Sequence, residues 1–131
     1  MRERDAVKRF HLKVARNDGV SSYECREDSW PAHPEVSIMA RSGRISRIST
    51  DRKGLLTDRG FGVGSREADI VRTYGSALKV EPHAYEGPPA HYLTAWTVKG
   101  HNGVRYETND HGRVSSVHVG DEAIELIESC L

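Results

Sequence analysis

A series of short matches between the two halves of the chain constrains its fold more than any other feature. Val7-Lys8-Arg9-Phe10 aligns with Val71-Arg72-Thr73-Tyr74, Leu12-Lys13-Val14 with Leu78-Lys79-Val80, and Ser22-Tyr23 with His91-Tyr92. Val36-Ser37-Ile38 meets Val104-Arg105-Tyr106 at an offset of 68, and Gly43-Arg44-Ile45-Ser46-Arg47-Ile48 meets Gly112-Arg113-Val114-Ser115-Ser116-Val117 at 69. Agreement in the same order along both halves reads as a tandem duplication. Each unit is then a short helix, a short extended piece and a three-stranded antiparallel meander. The first repeat, about residues 1–56, is incomplete, and the second, about 57–131, is complete. Together they predict one α+β domain of two similar units, with helices packed on one face of the sheet. Even the irregularity is shared: Ile45 with Ile48, and Val114 with Val117, stand three apart where strict alternation gives two or four. A bulge at equivalent positions accounts for both.

The second unit opens on Thr57 to Gly75, where glycines, a helix start and a helix stop fall into register. Gly60, Gly62 and Gly64 permit sharp turns, and Ser65 is a favoured N-cap. Glu67 and Asp69 suit the first turn electrostatically, Ala68, Val71 and Tyr74 mark the predicted apolar face, and Gly75 supplies the stop. A helix this short is not stable in water alone, so its stripe must be buried against a sheet.

The remaining elements follow from alternation and turn chemistry. Asp5 to Phe10 reads as the end of a helix, Asn17-Asp18-Gly19 as a turn, and Ser21 to Arg26 as a strand that Trp30 to Pro34 interrupts. Val36 onward and Arg44 to Asp51 form a hairpin about Ser42-Gly43. His91 to Val98 is a strand with Tyr92, Thr94 and Trp96 on one face. Asn102-Gly103 is the strongest hairpin turn signal, and Val104 to Thr108 and Val114 to Val119 complete the meander. Asp121 caps a last turn that carries Ile124 and Ile127 inward.

A glycine-preceded short helix ending in Tyr-Gly, followed by a meander with a Gly-Arg-[Ile/Val]-x-x-[Ile/Val] hairpin, resembles the β-lactamase-inhibitor-protein-like fold. Small outer-membrane lipoproteins of the SmpA/OmlA group share that fold, and the inhibitory proteins are tandem repeats of such a unit. The resemblance covers nearly the whole chain and implies helices on one sheet face and a free face that binds a protein. The leader and cysteine of the SmpA/OmlA group do not occur here, so anchoring is not expected.

Composition narrows the function classes. With 19 basic and 19 acidic residues, bulk charge favours neither nucleic acid nor an anionic membrane. Residues 1–60 carry net +4 (13 basic, 9 acidic) and residues 61–131 net −4 (6 basic, 10 acidic), an asymmetry read as solvated faces. No apolar run reaches the roughly 20 residues of a membrane span. The chain is expected to be periplasmic or secreted if a leader has been removed, and cytoplasmic otherwise. Cys25 and Cys130 do not form a metal pattern. If joined they close a loop worth up to ~4.7 kcal/mol in the chain-entropy model, and two buried thiols remain the equal alternative.

Gly60-Phe61-Gly62-Val63-Gly64-Ser65 fails as a dinucleotide loop because Ser65 stands where the third glycine belongs. No cofactor is expected. The seven histidines are scattered, with no metal-spaced pair, and His83 with Glu81 and His111 with Asp110 read as solvated loop pairs. Arg41, Arg44, Arg47, Arg52 and Lys53 form a basic stretch around one hairpin without interleaved aromatics, which argues against nucleic acid. The candidate binding residues are therefore the aromatics Tyr23, Trp30, Tyr92, Trp96 and Tyr106, the residue types that anchor interfaces. The expected function is non-enzymatic binding or inhibition of another protein through an exposed sheet face. The competing reading is a small hydrolase using His and Asp or Glu in a cleft between the repeats. A His bonded to both a carboxylate and a nucleophile favours the hydrolase, and a shallow aromatic face favours the binder.

Overall fold

Alternating apolar and polar residues become strands where both faces find cover. The computed structural model describes residues 1–14 and 22–130. Its helices are α1 (Glu3–Phe10) and α2 (Glu67–Tyr74). The strands are β1 (Arg26–Ser29), β2 (Val36–Arg41), β3 (Arg44–Thr50), β4 (Leu78–Pro82), β5 (His91–Val98), β6 (Asn102–Thr108) and β7 (Val114–Gly120). They make one seven-stranded antiparallel sheet in the order β1-β2-β3-β7-β6-β5-β4, an α+β architecture.

β3 and β7 join the two halves of the sheet, pairing Ile48 with Val119, Ser49 with His118 and Thr50 with Val117. Ser46 is extra in the β2–β3 ladder, because Met39 faces Arg47 while Ala40 faces Ile45. Ser115 is extra in the β6–β7 ladder, because Glu107 faces Ser116 while Thr108 faces Val114. The three-residue spacings in the sequence thus mark real bulges.

Each helix start is tied to a strand by the backbone. Glu3 N donates to Gly43 O and Ile45 N to Met1 O, both at 2.9 Å. Glu67 N donates to Gly112 O and Val114 N to Ser65 O, again at 2.9 Å. α1 lays Ala6 on Val36 and Ile38, with Phe10 and Trp30 at the margin. α2 drives Ile70 onto Leu93, Tyr106 and Val117, each such buried apolar side chain being worth about 1.5–3 kcal/mol.

Local expectations fail where tertiary contacts outweigh them. α2 is capped at Arg66 rather than Ser65, whose hydroxyl instead accepts from Gly62 N (3.0 Å). Its inward residues are Ile70 and Tyr74, while Ala68 and Val71 face solvent. Asn102-Gly103 is strand, and the turn lies one step earlier, with Gly100 at φ 79° and His101 N bonded to Val98 O. Gly103 is needed in the ladder, since a Cβ there would stand 2.4 Å from the Trp96 ring. The strand expected at Ser21–Arg26 begins instead at Arg26. The turn expected at Asn17-Asp18-Gly19 lies outside the described residues. Cys25 and Cys130 form a disulfide with their Cα atoms 5.5 Å apart, which resolves the open alternative and points to an oxidising compartment.

Candidate functional site

Two regions stand out, on opposite faces of the sheet where β3 meets β7. On the face that α2 packs against, called the helix side below, Ile48 and Val119 floor a groove of about 640 Å³ bounded by Thr57, Arg59 and Tyr74. A smaller hollow of about 130 Å³ shares Ile48, Thr57 and Val119 with it and is walled by Leu55 and Leu56. Ile48 is 40% exposed, Leu55 40% and Leu56 67%, so apolar groups project outward as well as lining the hollow. The groove wall is held by a short aromatic cluster. Tyr106 hydroxyl bonds Thr57 Oγ1 (2.7 Å) and Tyr74 hydroxyl (3.0 Å), Phe61 meets Tyr106 edge-on, and Arg59 lies over the Tyr74 ring. Burial pushes the Tyr106 phenol well above its ordinary pKa, so it stays a neutral hydroxyl.

The opposite face carries polar side chains from the alternate positions of the same strands. His118 Nε2 donates to Glu107 Oε2 (2.5 Å), and a neutral ring then accepts from the Ser49 hydroxyl at Nδ1 (2.6 Å). His83 accepts from the Tyr85 and Glu86 amides at Nδ1, which places its proton on Nε2, the donor to Glu107 Oε1 (2.8 Å). Burial alone would raise the Glu107 carboxyl; the hydrogen bonds from His118 and His83, joined by the positive charge of either ring when it is protonated, outweigh it and hold the group below the usual carboxylate range. Arg105 lies over the Tyr92 ring and donates to Thr94 Oγ1 (3.0 Å). Ser49, His118 and Arg47 open onto a cavity of about 300 Å³.

This second face is not open. After Gly120 the chain turns back and runs across it from Asp121 to Cys130. Asp121 caps Ala123 N (2.8 Å) as the sequence predicts, and Ile124 is fully buried, but Ile127 is 54% exposed. Arg47 donates to Ala123 O (3.3 Å), Leu126 O (3.1 Å) and Ser129 Oγ (3.2 Å), and Arg105 to Glu125 O (3.4 Å).

The five predicted aromatics are not brought together. Tyr106 is buried among the helix-side core residues, and Tyr92 is buried on the other face under Arg105 and His83, so neither serves as a surface anchor. Both faces of β5 are covered, which alternation alone does not reveal. Trp96 is half-buried between Gly103 and Ile124, Trp30 packs on Phe10 and His33, and Tyr23 is 61% exposed beside Gly43. His83 also departs from expectation: its side chain is buried and bonded to Glu107 rather than solvated with Glu81. His111 with Asp110 does face solvent. One signal for the missed pair was present, since Ser49 and His118 are 69 apart and so occupy equivalent places in the proposed repeat. Among the described residues no helix is long and apolar enough to cross a membrane, and no three His, Cys, Asp or Glu side chains are arranged so that they could hold a metal ion. No family model, curated protein or solved structure matches the chain.

Proposed function

We propose that this chain is a non-enzymatic protein-binding module whose contact surface is the apolar groove on the helix side, at the line where β3 meets β7. The observation that carries the reading is the contiguous strip of Ile48, Leu55 and Leu56, which stays exposed although large apolar side chains of this size are normally covered. A small-molecule site would be enclosed; here the leucines protrude, which suits a partner's surface.

The architecture is read as two copies of one unit set side by side, helices over the same face, in the manner of the β-lactamase-inhibitor-protein-like fold. The paired helix anchors and the bulges at Ser46 and Ser115 recur at constant offsets, which supports this. So does the β3–β7 ladder: Ile48 corresponds to Val117 and Thr50 to Val119 at an offset of 69, and each pairs with the other's counterpart. Ser49 thus faces its own counterpart, His118, as happens where a two-fold axis passes through a pair of strands. The groove then lies on the pseudo-dyad between the helices. With the disulfide, the reading places the protein in the periplasm or outside the cell.

A photo-cross-linking amino acid at position 56 tests the groove. In extract of the source cells it is expected to give a discrete adduct that excess wild-type protein competes away and Ile48→Asp/Leu56→Asp protein does not. Adducts that both competitors suppress equally would sink the proposal.

The Ser49–His118–Glu107 chain supports the second reading, a hydrolase. Acyl transfer also needs donors for an oxyanion. β3 is paired on both sides, so its amides are spent in the ladder, and a fluorophosphonate probe is expected to leave Ser49 unlabelled.

A further inference from the structure

We propose that the polar face of the sheet is a binding site for an acidic peptide that folds into a single 3-10 turn, and that the chain's own C-terminal strap, Asp121 to Cys130 with its 3-10 turn at Glu122–Glu125, occupies it until the Cys25–Cys130 disulfide is reduced. This site lies on the sheet face opposite the groove and does not depend on it.

The strap has the composition of a ligand for that face. Its acidic residues are Asp121, Glu122, Glu125 and Glu128, and it contains no Lys or Arg. Beneath it lie arginines from three different strands. Arg41 reaches Asp121 Oδ1 (3.4 Å) and Glu122 Oε1 (3.2 Å), and Arg105 reaches Glu125 Oε2 (3.5 Å). Arg47 is bound to strap carbonyls, with only 6% of its surface exposed. Guanidinium forks aimed at the carbonyls of Ala123, Glu125 and Leu126, in and just after the 3-10 turn, recognise that turned backbone, and the Glu contacts select acidic sequence. Specific shape enters at one place, where Ile124 packs on Gly103 beside Trp96.

The strap is also built to come away. Most of what it covers is polar and rehydrates on release: Arg47, Arg105 and Thr94 are the buried polar groups of this face. The apolar attachment is confined to Ile124 and to Ala123 and Cys130 over Met39. Leu126 and Ile127 face solvent, 41% and 54% exposed. At the far end the strap is held by the Arg47–Ser129 hydrogen bond, the Tyr85–Glu128 contact and the disulfide, the one covalent tie among them. A dithiol reductant supplies two electrons and two protons, converting the disulfide to the Cys25 and Cys130 thiols while it closes to its own disulfide. The tethered strap then competes at an effective concentration on the order of millimolar, so a displacing peptide gains when Ile124 is also weakened.

The test uses the full chain and a fluorescein-labelled peptide of residues 121–131 in which serine replaces Cys130. Amide NMR spectra of the oxidised and dithiothreitol-reduced protein report the latch. On reduction the resonances of residues 123–130 are expected to shift toward random-coil positions while β5, β6 and β7 keep native dispersion. Strap resonances that stay native in the reduced protein, or a sheet that loses dispersion with the strap, would each overturn the latch. Fluorescence anisotropy reports the site. Reduced Ile124→Ser protein is expected to bind the peptide saturably, with affinity falling about tenfold or more when salt rises from 50 to 500 mM, and oxidised wild type to bind none. A peptide with lysine at its Glu positions is expected not to bind. If Ile124→Ser protein keeps its sheet resonances yet fails to bind, or binds both peptides equally, the acidic-peptide site is wrong. If that variant loses its sheet, reduced Cys130→Ser/Ile124→Ala protein is titrated in its place and judged by the same two outcomes.

Discussion

The two faces of one sheet solve the burial problem with opposite chemistry. On the helix side, Ile70, Leu93, Tyr106 and Val117 exclude water by apolar packing, and the cost of disturbing them is set by cavity formation. On the strap side the same strands bury Arg47, Arg105 and Thr94, and the closure is made of hydrogen bonds to a passing main chain. Apolar closure is strong and nonspecific. Polar closure is weaker net, because water replaces the lost bonds on opening, yet it demands a particular register. The first kind of face suits a permanent core and the second a displaceable cover.

The largest loss of stability is expected where the chain passes from one face to the other. Gly120 has φ 152°, and a Cβ there would stand 1.9 Å from Ser46 O, so Gly120→Ala is expected to cost on the order of 3 kcal/mol or more in denaturant unfolding. Next in size, Ile70→Ala on the helix side is expected to cost about 2–5 kcal/mol, the full cavity price of a rigid core. Ile124→Ala on the strap side should cost less, since a ten-residue segment relaxes into the space; equal losses would erase the distinction between the faces. Arg47→Met is expected to lower stability by only about 1–2 kcal/mol, because the freed strap carbonyls reach water. A loss as large as that of Ile70→Ala would show a rigid polar core instead.

The smallest effect is a pH limb. The Glu107 carboxyl is held below its ordinary range in the fold, so its stabilising contribution is complete above the unfolded value of about 4.3 and is lost as pH falls through the lower folded value. Glu107→Gln is expected to flatten the acid side of the stability profile, measured by thermal melts across that window. An unchanged slope would remove Glu107 from the account.

Much of this was legible in the residues and some was not. The spacing of Ile45 and Ile48, and of Val114 and Val117, foretold both bulges, and the strand from His91 to Val98 was read to the residue. The hairpin turn was misplaced because Asn-Gly is only a local preference, while Gly103 is held in the ladder by the Trp96 ring above it. Tyr92 and Trp96 differ in their cover: Tyr92 is buried under Arg105 and His83, whereas Trp96 is half-buried and lines the groove. His83 and His118 were passed over because their acceptor, Glu107, is remote from both in sequence.

What the amino-acid order determined by itself is therefore most of the strands beyond β1, the two bulges and which side chains along a strand share a side, because those follow from backbone geometry over a few residues. What covers each side was decided only in three dimensions. The acidic tail crosses strands from both halves and is fastened to Cys25, 105 residues away, and no periodicity within a strand carries information about a segment that distant.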